Sequence, residues 1–169
     1  FVEGLRPIKK DENVGFERKD GLFKAFCKKA LEAYNKAEDK NNATKYVFFI
    51  DEINRGDMSK IFGELFFSID PGYRGKDGKV DTQYQNLIDI DPNTKNEDVF
   101  KDGFYVPENV YVIGTMNDID RSVEFMDFAM RRRFAFVEIS AKEIQSILTL
   151  EAFRKINYVN ADKAYTEVD

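Results

Sequence analysis

Two adjacent carboxylates, Asp51 and Glu52, end the run Tyr46-Val47-Phe48-Phe49-Ile50 and are followed by Ile53-Asn54-Arg55. In that place one carboxylate can hold a hydrated Mg2+ while the other orients or deprotonates an attacking water, which is the chemistry of nucleotide hydrolysis. The same dipeptide also suits a strand that merely leaves the core for solvent. A second apolar run, Val110-Tyr111-Val112-Ile113-Gly114-Thr115-Met116, stops at Asn117. An uncharged amide there can hydrogen-bond both a γ-phosphate oxygen and the attacking water, or it can simply start a turn. If the two runs are neighbouring parallel strands, Asn117 joins Asp51 and Glu52 at one edge of the sheet, and the functional reading gains on the bland one. Arg131-Arg132-Arg133 has three readings. The cations could complement the end of a helix, form a local DNA-binding patch, or reach across a subunit boundary to a neighbour's nucleotide.

A nucleotide site also needs a phosphate cradle, and no G-x-x-x-x-G-K-[ST] occurs. Gly72 to Val80 imitates it with one residue too many and no Ser or Thr after Lys79, and reads as a solvated loop.

The elements that would position these groups follow from periodicity. Tyr46–Ile50 is aromatic and β-branched without alternation, which predicts a strand buried on both faces of a parallel sheet, with ligands at its carboxyl end. Leu22, Phe23, Phe26, Cys27, Ala30, Leu31 and Tyr34 recur at helical spacing after Gly21. Asp57 is a plausible N-cap for a second helix with the stripe Ile61, Phe62, Leu65, Phe66 and Ile69, ended by Pro71-Gly72. Residues 1–20 read as irregular, with a short strand at Val14–Glu17 at most. Residues 71–108 read as a long polar insertion with a hairpin around Tyr84–Ile90 and Phe104–Val106. Beyond Asn117 the pattern gives a short helix from about Ser122 to Arg131, a third strand over Phe134–Ile139 and a helix over Ala141–Lys155. Strands alternating with helices predict an α/β fold.

Composition narrows the chemistry. The 169 residues are 43% hydrophobic and 34% charged, with a net charge of −5, which fits one acidic domain and argues against a surface that coats nucleic acid. The absence of histidine excludes imidazole zinc sites, Ser-His-Asp triads and Cys-His dyads. A lone cysteine, Cys27, forms no internal disulfide and reads as a small buried apolar residue, with a cytoplasmic setting favoured. No apolar run reaches membrane-spanning length, so no membrane association is expected.

Taken in order, Phe48 to Arg55, Ser59 to Leu65, Phe104 to Asn117, and Asp120-Arg121-Ser122 through Asp127 and Arg131-Arg132-Arg133-Phe134 closely resemble the McrB family of AAA+ motors. These are the nucleotide-hydrolysing subunits of bacterial restriction systems directed at modified cytosine. Phe1-Val2-Glu3-Gly4-Leu5-Arg6-Pro7 and Asp20-Gly21-Leu22-Phe23 extend the resemblance over roughly residues 1 to 140. The resemblance implies a three-layer αβα AAA+ core with a mostly parallel sheet and a hairpin insertion. It implies Asp51 and Glu52 as Walker B residues at Mg2+, Asn117 as sensor 1, and an arginine finger among Arg131, Arg132 and Arg133. It further implies a hexameric homo-oligomeric ring, a preference for GTP with ATP as the alternative, an McrC-like endonuclease partner, and DNA contacts through regions outside this chain. The Asn-x-x-Asp element linked with guanine preference stands here as Asn117-Asp118-Ile119-Asp120, where the usual middle pair is Thr-Ala. The family's phosphate loop would precede Phe1, so the chain reads as a partial core over 1–140 followed by the start of a helical lid or linker over 141–169. Such a piece is expected to be inactive alone and prone to pair its exposed strand edges. An ATP-dependent protein-remodelling enzyme and a non-hydrolysing scaffold with a degenerate motor core are the rival classes.

Overall fold

A computed structural model describes residues 1–10, 13–87, 98–117 and 128–140. The chain divides into two compact units, Phe1–Phe134 and Ala135–Asp169. In the first unit the order is β1 (Glu3–Lys10), β2 (Asn13–Asp20), α1 (Leu22–Lys36), β3 (Tyr46–Ile50), α2 (Met58–Phe62), β4 (Val110–Gly114) and α3 (Phe128–Arg131), with short 3-10 turns between.

The N-terminal segment is not irregular. β1 and β2 form an antiparallel ribbon in register from Glu3 opposite Asp20 to Lys10 opposite Asn13. Gly4, Pro7 and Gly15 masked it in the sequence, yet both strands of a two-stranded ribbon are edges, where sheets tolerate proline. The ribbon hands directly to α1. The Gly21 and Phe23 N–H groups, orphans of a helix start, donate to the Val2 and Phe1 carbonyls at 2.7 and 3.0 Å. A Cβ on residue 21 would lie 2.3 Å from the Phe1 oxygen, so only glycine permits this approach. α1 buries Phe23, Lys24, Cys27, Ala30 and Leu31 on one stripe, whereas Leu22, placed in the apolar series by spacing, is 73% exposed.

β3 and β4 pair in parallel, Tyr46 opposite Val110 through Ile50 opposite Gly114. Tyr46, Phe48, Ile50 and Val112 pack on the core, with Phe48 in edge contact with Phe23 at 5.0 Å between ring centroids. The opposite face departs from the expected double burial: Val47 and Phe49 are 51% and 58% exposed, and Tyr111 and Ile113 are exposed beside them. A parallel sheet buries both faces only where a layer covers each, and among the described residues only one face is covered.

Asp57 caps α2 as its position predicts, its carboxylate accepting from the Lys60 N–H at 3.1 Å. Phe62, Leu65 and Ile69 are buried, but the helix stops at Gly63, where φ is +45°, and continues as a 3-10 turn to Phe66. Ile61, placed in the same stripe by spacing, is exposed.

The described part of the insertion, residues 71–87 and 98–108, packs on the core, and Gly72–Val80 is not the solvated loop expected. Its hairpin reduces to a single antiparallel bridge, Val80 with Phe104, whose two backbone bonds are both 2.8 Å. Tyr84 to Leu87 is turn and 3-10 helix rather than strand, and 88–90 lie outside the described residues. Phe100, Phe104, Val106 and Pro107 are fully buried, each large apolar side chain contributing on the order of 1.5–3 kcal/mol. Gly75 and Gly78, within the stretch read as a solvated loop, are buried, and the Ser68 hydroxyl donates to the Gly78 carbonyl at 2.5 Å.

The start of the helix expected from Ser122 lies outside the described residues, and its end is α3. In the second unit, residues 135–140 form neither helix nor strand, so the third strand expected over Phe134–Ile139 is absent there. β-branched and aromatic residues do not make a strand without ladder bonds to a neighbour. The helix expected over Ala141–Lys155 lies outside the described residues.

Candidate active site

The parallel pairing decides the geometry. β3 and β4 end together, so Asp51-Glu52 and Thr115-Met116-Asn117 leave the sheet at one edge. Two backbone bonds continue the contact past the strands: the Thr115 N–H donates to the Ile50 carbonyl at 3.0 Å, and the Ile53 N–H to the Thr115 carbonyl at 2.8 Å. Thr115 also uses its side chain. Its hydroxyl donates to Asp51 Oδ1 at 2.5 Å and accepts from the Glu52 N–H at 3.0 Å. Asn54 Nδ2 reaches the Asn117 carbonyl at 3.5 Å, at the outer limit of a hydrogen bond.

Glu52 carries a backbone that side chains avoid. Its φ of 52° and ψ of 49° are left-handed, the one non-glycine positive φ among the described residues, at a cost of roughly 1–2 kcal/mol. Such strain persists where surrounding bonds over-determine it. The Glu52 side chain is half exposed and pairs with Arg55, Nε to Oε2 at 2.6 Å. The sequence pattern pointed to neither Thr115 nor Arg55. Arg55 stands three residues beyond Glu52, the spacing of an ion pair on a helical turn, and that signal was readable.

The three arginines separate. Arg133 is buried: its guanidinium stacks on the Phe66 ring at 3.7 Å from the centroid and donates through Nη1 to the Ala129 carbonyl of its own helix. It is thus engaged as a helix cap and a cation over an aromatic face. Arg131 and Arg132 are exposed. Asp120 lies outside the described residues. Cys27 is buried, and burial pushes its thiol up to about 12, so it stays protonated and unreactive.

Charged residues also gather where chemistry was not expected. Glu3 Oε2 accepts from Arg18 at 3.1 Å and from Lys24 at 3.0 Å, and its Oε1 accepts from the Tyr84 N–H at 2.7 Å. Arg18 also bonds Asp20 at 2.8 Å and Asp98 at 3.2 Å, and Lys28 bonds Asp98 at 2.9 Å. Three cations, Arg18, Lys24 and Lys28, thus meet three anions, Glu3, Asp20 and Asp98, on the ribbon, α1 and the insertion. Burial opposes the Glu3 charge, but bonds from Thr82, Lys24 and the Tyr84 N–H outweigh it and hold the carboxyl below its usual range. Burial likewise opposes the Asp98 charge, and Lys28 and the Phe100 N–H outweigh it.

Comparison with known proteins decides the family. The AAA domain family (dynein-related subfamily) matches residues 3–134, most of the chain. This chain is an AAA domain. It is 42% identical over 139 residues to the type IV methyl-directed restriction enzyme EcoKMcrB subunit of Escherichia coli strain K12, covering 82% of this chain and 25% of that protein. It is 30% identical over 116 residues to the type II restriction enzyme BsuMI component YdiS of Bacillus subtilis strain 168, covering 69% of this chain and 30% of that protein. The chain therefore spans about a quarter to three tenths of the length of these relatives.

The family implies the use of nucleotide and Mg2+ in general, and the carboxylates of this edge suit such an ion. Among the described residues no three metal-ligating side chains cluster, and Mg2+ asks for fewer: one or two carboxylates, with water and phosphate oxygens completing its shell. Asp51 is exposed and its Oδ1 accepts from Thr115, so Oδ2 would be the oxygen offered to such an ion. Among the described residues no helix is long and apolar enough to cross a membrane.

Proposed function

We propose that this AAA domain carries the water-activating half of a motor that hydrolyses GTP, or ATP in its place, to drive DNA restriction together with an endonuclease subunit. The observation that carries the reading is the shared edge, where parallel β3 and β4 set Asp51-Glu52 beside Asn117. The names of both relatives, each a component of a restriction enzyme, support the biological setting.

Mg2+ bound here would supply neutralisation of the charge on the transferring phosphoryl group, and Asp51 would be the residue that holds its hydration shell. Glu52 leaves its pair with Arg55, takes a proton from water, and the water oxygen attacks the γ-phosphorus as the nucleoside diphosphate departs. Asn117 orients that water and a γ-phosphate oxygen. Arg131 or Arg132 reaches a neighbour's nucleotide in a homo-oligomeric, hexameric ring, while Arg133 fixes the C-terminal end of α3 beside them.

The test is Glu52→Gln in the full-length protein, with GTP and ATP compared. Nucleotide binding should persist while turnover falls at least about 10²-fold, the scale of lost general-base assistance. Unchanged turnover would remove Glu52 from this role, and faster wild-type turnover of ATP than of GTP would reverse the nucleotide preference.

A further inference from the structure

Thr115 makes four hydrogen bonds, and all four end on residues 50–53: its N–H to Ile50, its carbonyl from Ile53, and its hydroxyl to both Asp51 and Glu52. We propose that Thr115 is a positioning residue, whose hydroxyl sets the Asp51 carboxylate for the metal and holds Glu52 in its left-handed backbone for the water. The inference deepens the hydrolytic reading of this edge and rests on it.

A hydroxyl has one proton. Because Thr115 Oγ1 accepts from the Glu52 N–H, that proton is directed at Asp51, and the direction of both bonds is decided. Asp51 is exposed, so without the bond its terminal torsion would turn freely between two broad wells. With it, Oδ1 faces β4 and Oδ2 is the oxygen left for the ion. The Glu52 peptide is caught from both ends, since the next N–H, of Ile53, bonds the Thr115 carbonyl at 2.8 Å. One side chain therefore couples the orientation of the metal carboxylate to that of the base. An exposed hydroxyl bond contributes little to stability, so its consequence lies in direction rather than in folding.

The experiment uses the full-length protein with Thr115→Val, which keeps the branched shape and removes the hydroxyl, Thr115→Ser, which keeps the hydroxyl, and Glu52→Gln. Thr115→Ala stands in should the valine variant fold poorly. Steady-state turnover is measured against nucleotide and against Mg2+. Loss of an outer partner to a metal carboxylate typically costs 10–100-fold. The valine variant should raise the Mg2+ concentration for half-maximal rate about tenfold and lower kcat about tenfold, with KM for nucleotide within about twofold and an unchanged thermal midpoint. The serine variant should restore both parameters. Wild-type kcat and Mg2+ dependence in Thr115→Val, or equal losses in the valine and serine variants, would overturn the proposal. If those outcomes occur while Glu52→Gln abolishes turnover, only the role of Thr115 falls. If Glu52→Gln also turns over normally, the hydrolytic reading falls with it.

Discussion

The network around Glu3 and the edge around Glu52 are built from the same residue types and solve opposite problems. Around Glu3, the charges are wholly or partly buried, matched three to three and bonded to several partners each; Lys24 is 0% exposed with its ammonium on two carboxylates. Around Glu52 the carboxylates are exposed, the backbone is left-handed, and Asp51 keeps an oxygen outside its bond to Thr115. Burial with every charge paired fixes one arrangement and leaves no carboxylate open to a ligand, though the buried Arg18 Nε is left without a partner. Exposure with a fixed direction leaves an oxygen for an ion or a water. Ionisable residues in a cluster therefore do not by themselves indicate chemistry; the capacity they retain does.

The comparison is broken most severely by removing one buried charge. Lys24→Met keeps the volume but strips Glu3 and Asp20 of a cation, and should destabilise the protein by about 3–5 kcal/mol, as breaking a buried pair does. Thermal or denaturant unfolding checks it; a loss under about 1 kcal/mol would show that the network is solvated.

Acid should act on the same region more gradually. Glu3 and Asp98 are both held below their usual range, so each binds its proton less readily folded than unfolded. Their contribution is complete above about pH 4.3 and is lost as the pH falls through the depressed folded values. The thermal midpoint should decline as the pH falls below about 4, less steeply in Lys24→Met than in the wild type. Parallel curves would separate the two carboxylates from Lys24.

The smallest effect belongs to the edge. Glu52→Gly removes a side chain from a left-handed position and should leave stability unchanged or raise it by up to about 1 kcal/mol, while abolishing turnover. A clear destabilisation would mean that the Arg55 pair, rather than backbone strain, dominates at Glu52.

Much of the edge was legible in the sequence because strand ends are legible. Apolar runs that stop at Asp51 and Asn117 announce both the strands and their polar ends, and the parallel register then brings them together. Thr115 was not legible, since a threonine within a strand run looks like any β-former until its hydroxyl finds Asp51. The ribbon was hidden by Gly4, Pro7 and Gly15, whose local tendencies are overridden by pairing eight residues with eight. Lys24 sat beside a helical stripe, and only partners from residues 3 and 20 make its burial tolerable. The insertion was legible only in part: Phe104–Val106 stood out as a strand piece, but the burial of Phe100, Phe104 and Val106, which folds the described part onto the core, carries no periodic signal.

The central claim is that chemistry resides at the exposed edge and stability in the buried network, and one paired measurement addresses it directly. In the full-length protein, turnover with GTP and Mg2+ and the unfolding midpoint are recorded for Glu52→Gln and Lys24→Met, below the midpoint of each. The account predicts that Glu52→Gln loses at least about 10²-fold in turnover with an unchanged midpoint, and that Lys24→Met loses several kcal/mol of stability with near-normal turnover. The reverse pattern, or two variants that lose turnover and stability together, would contradict it.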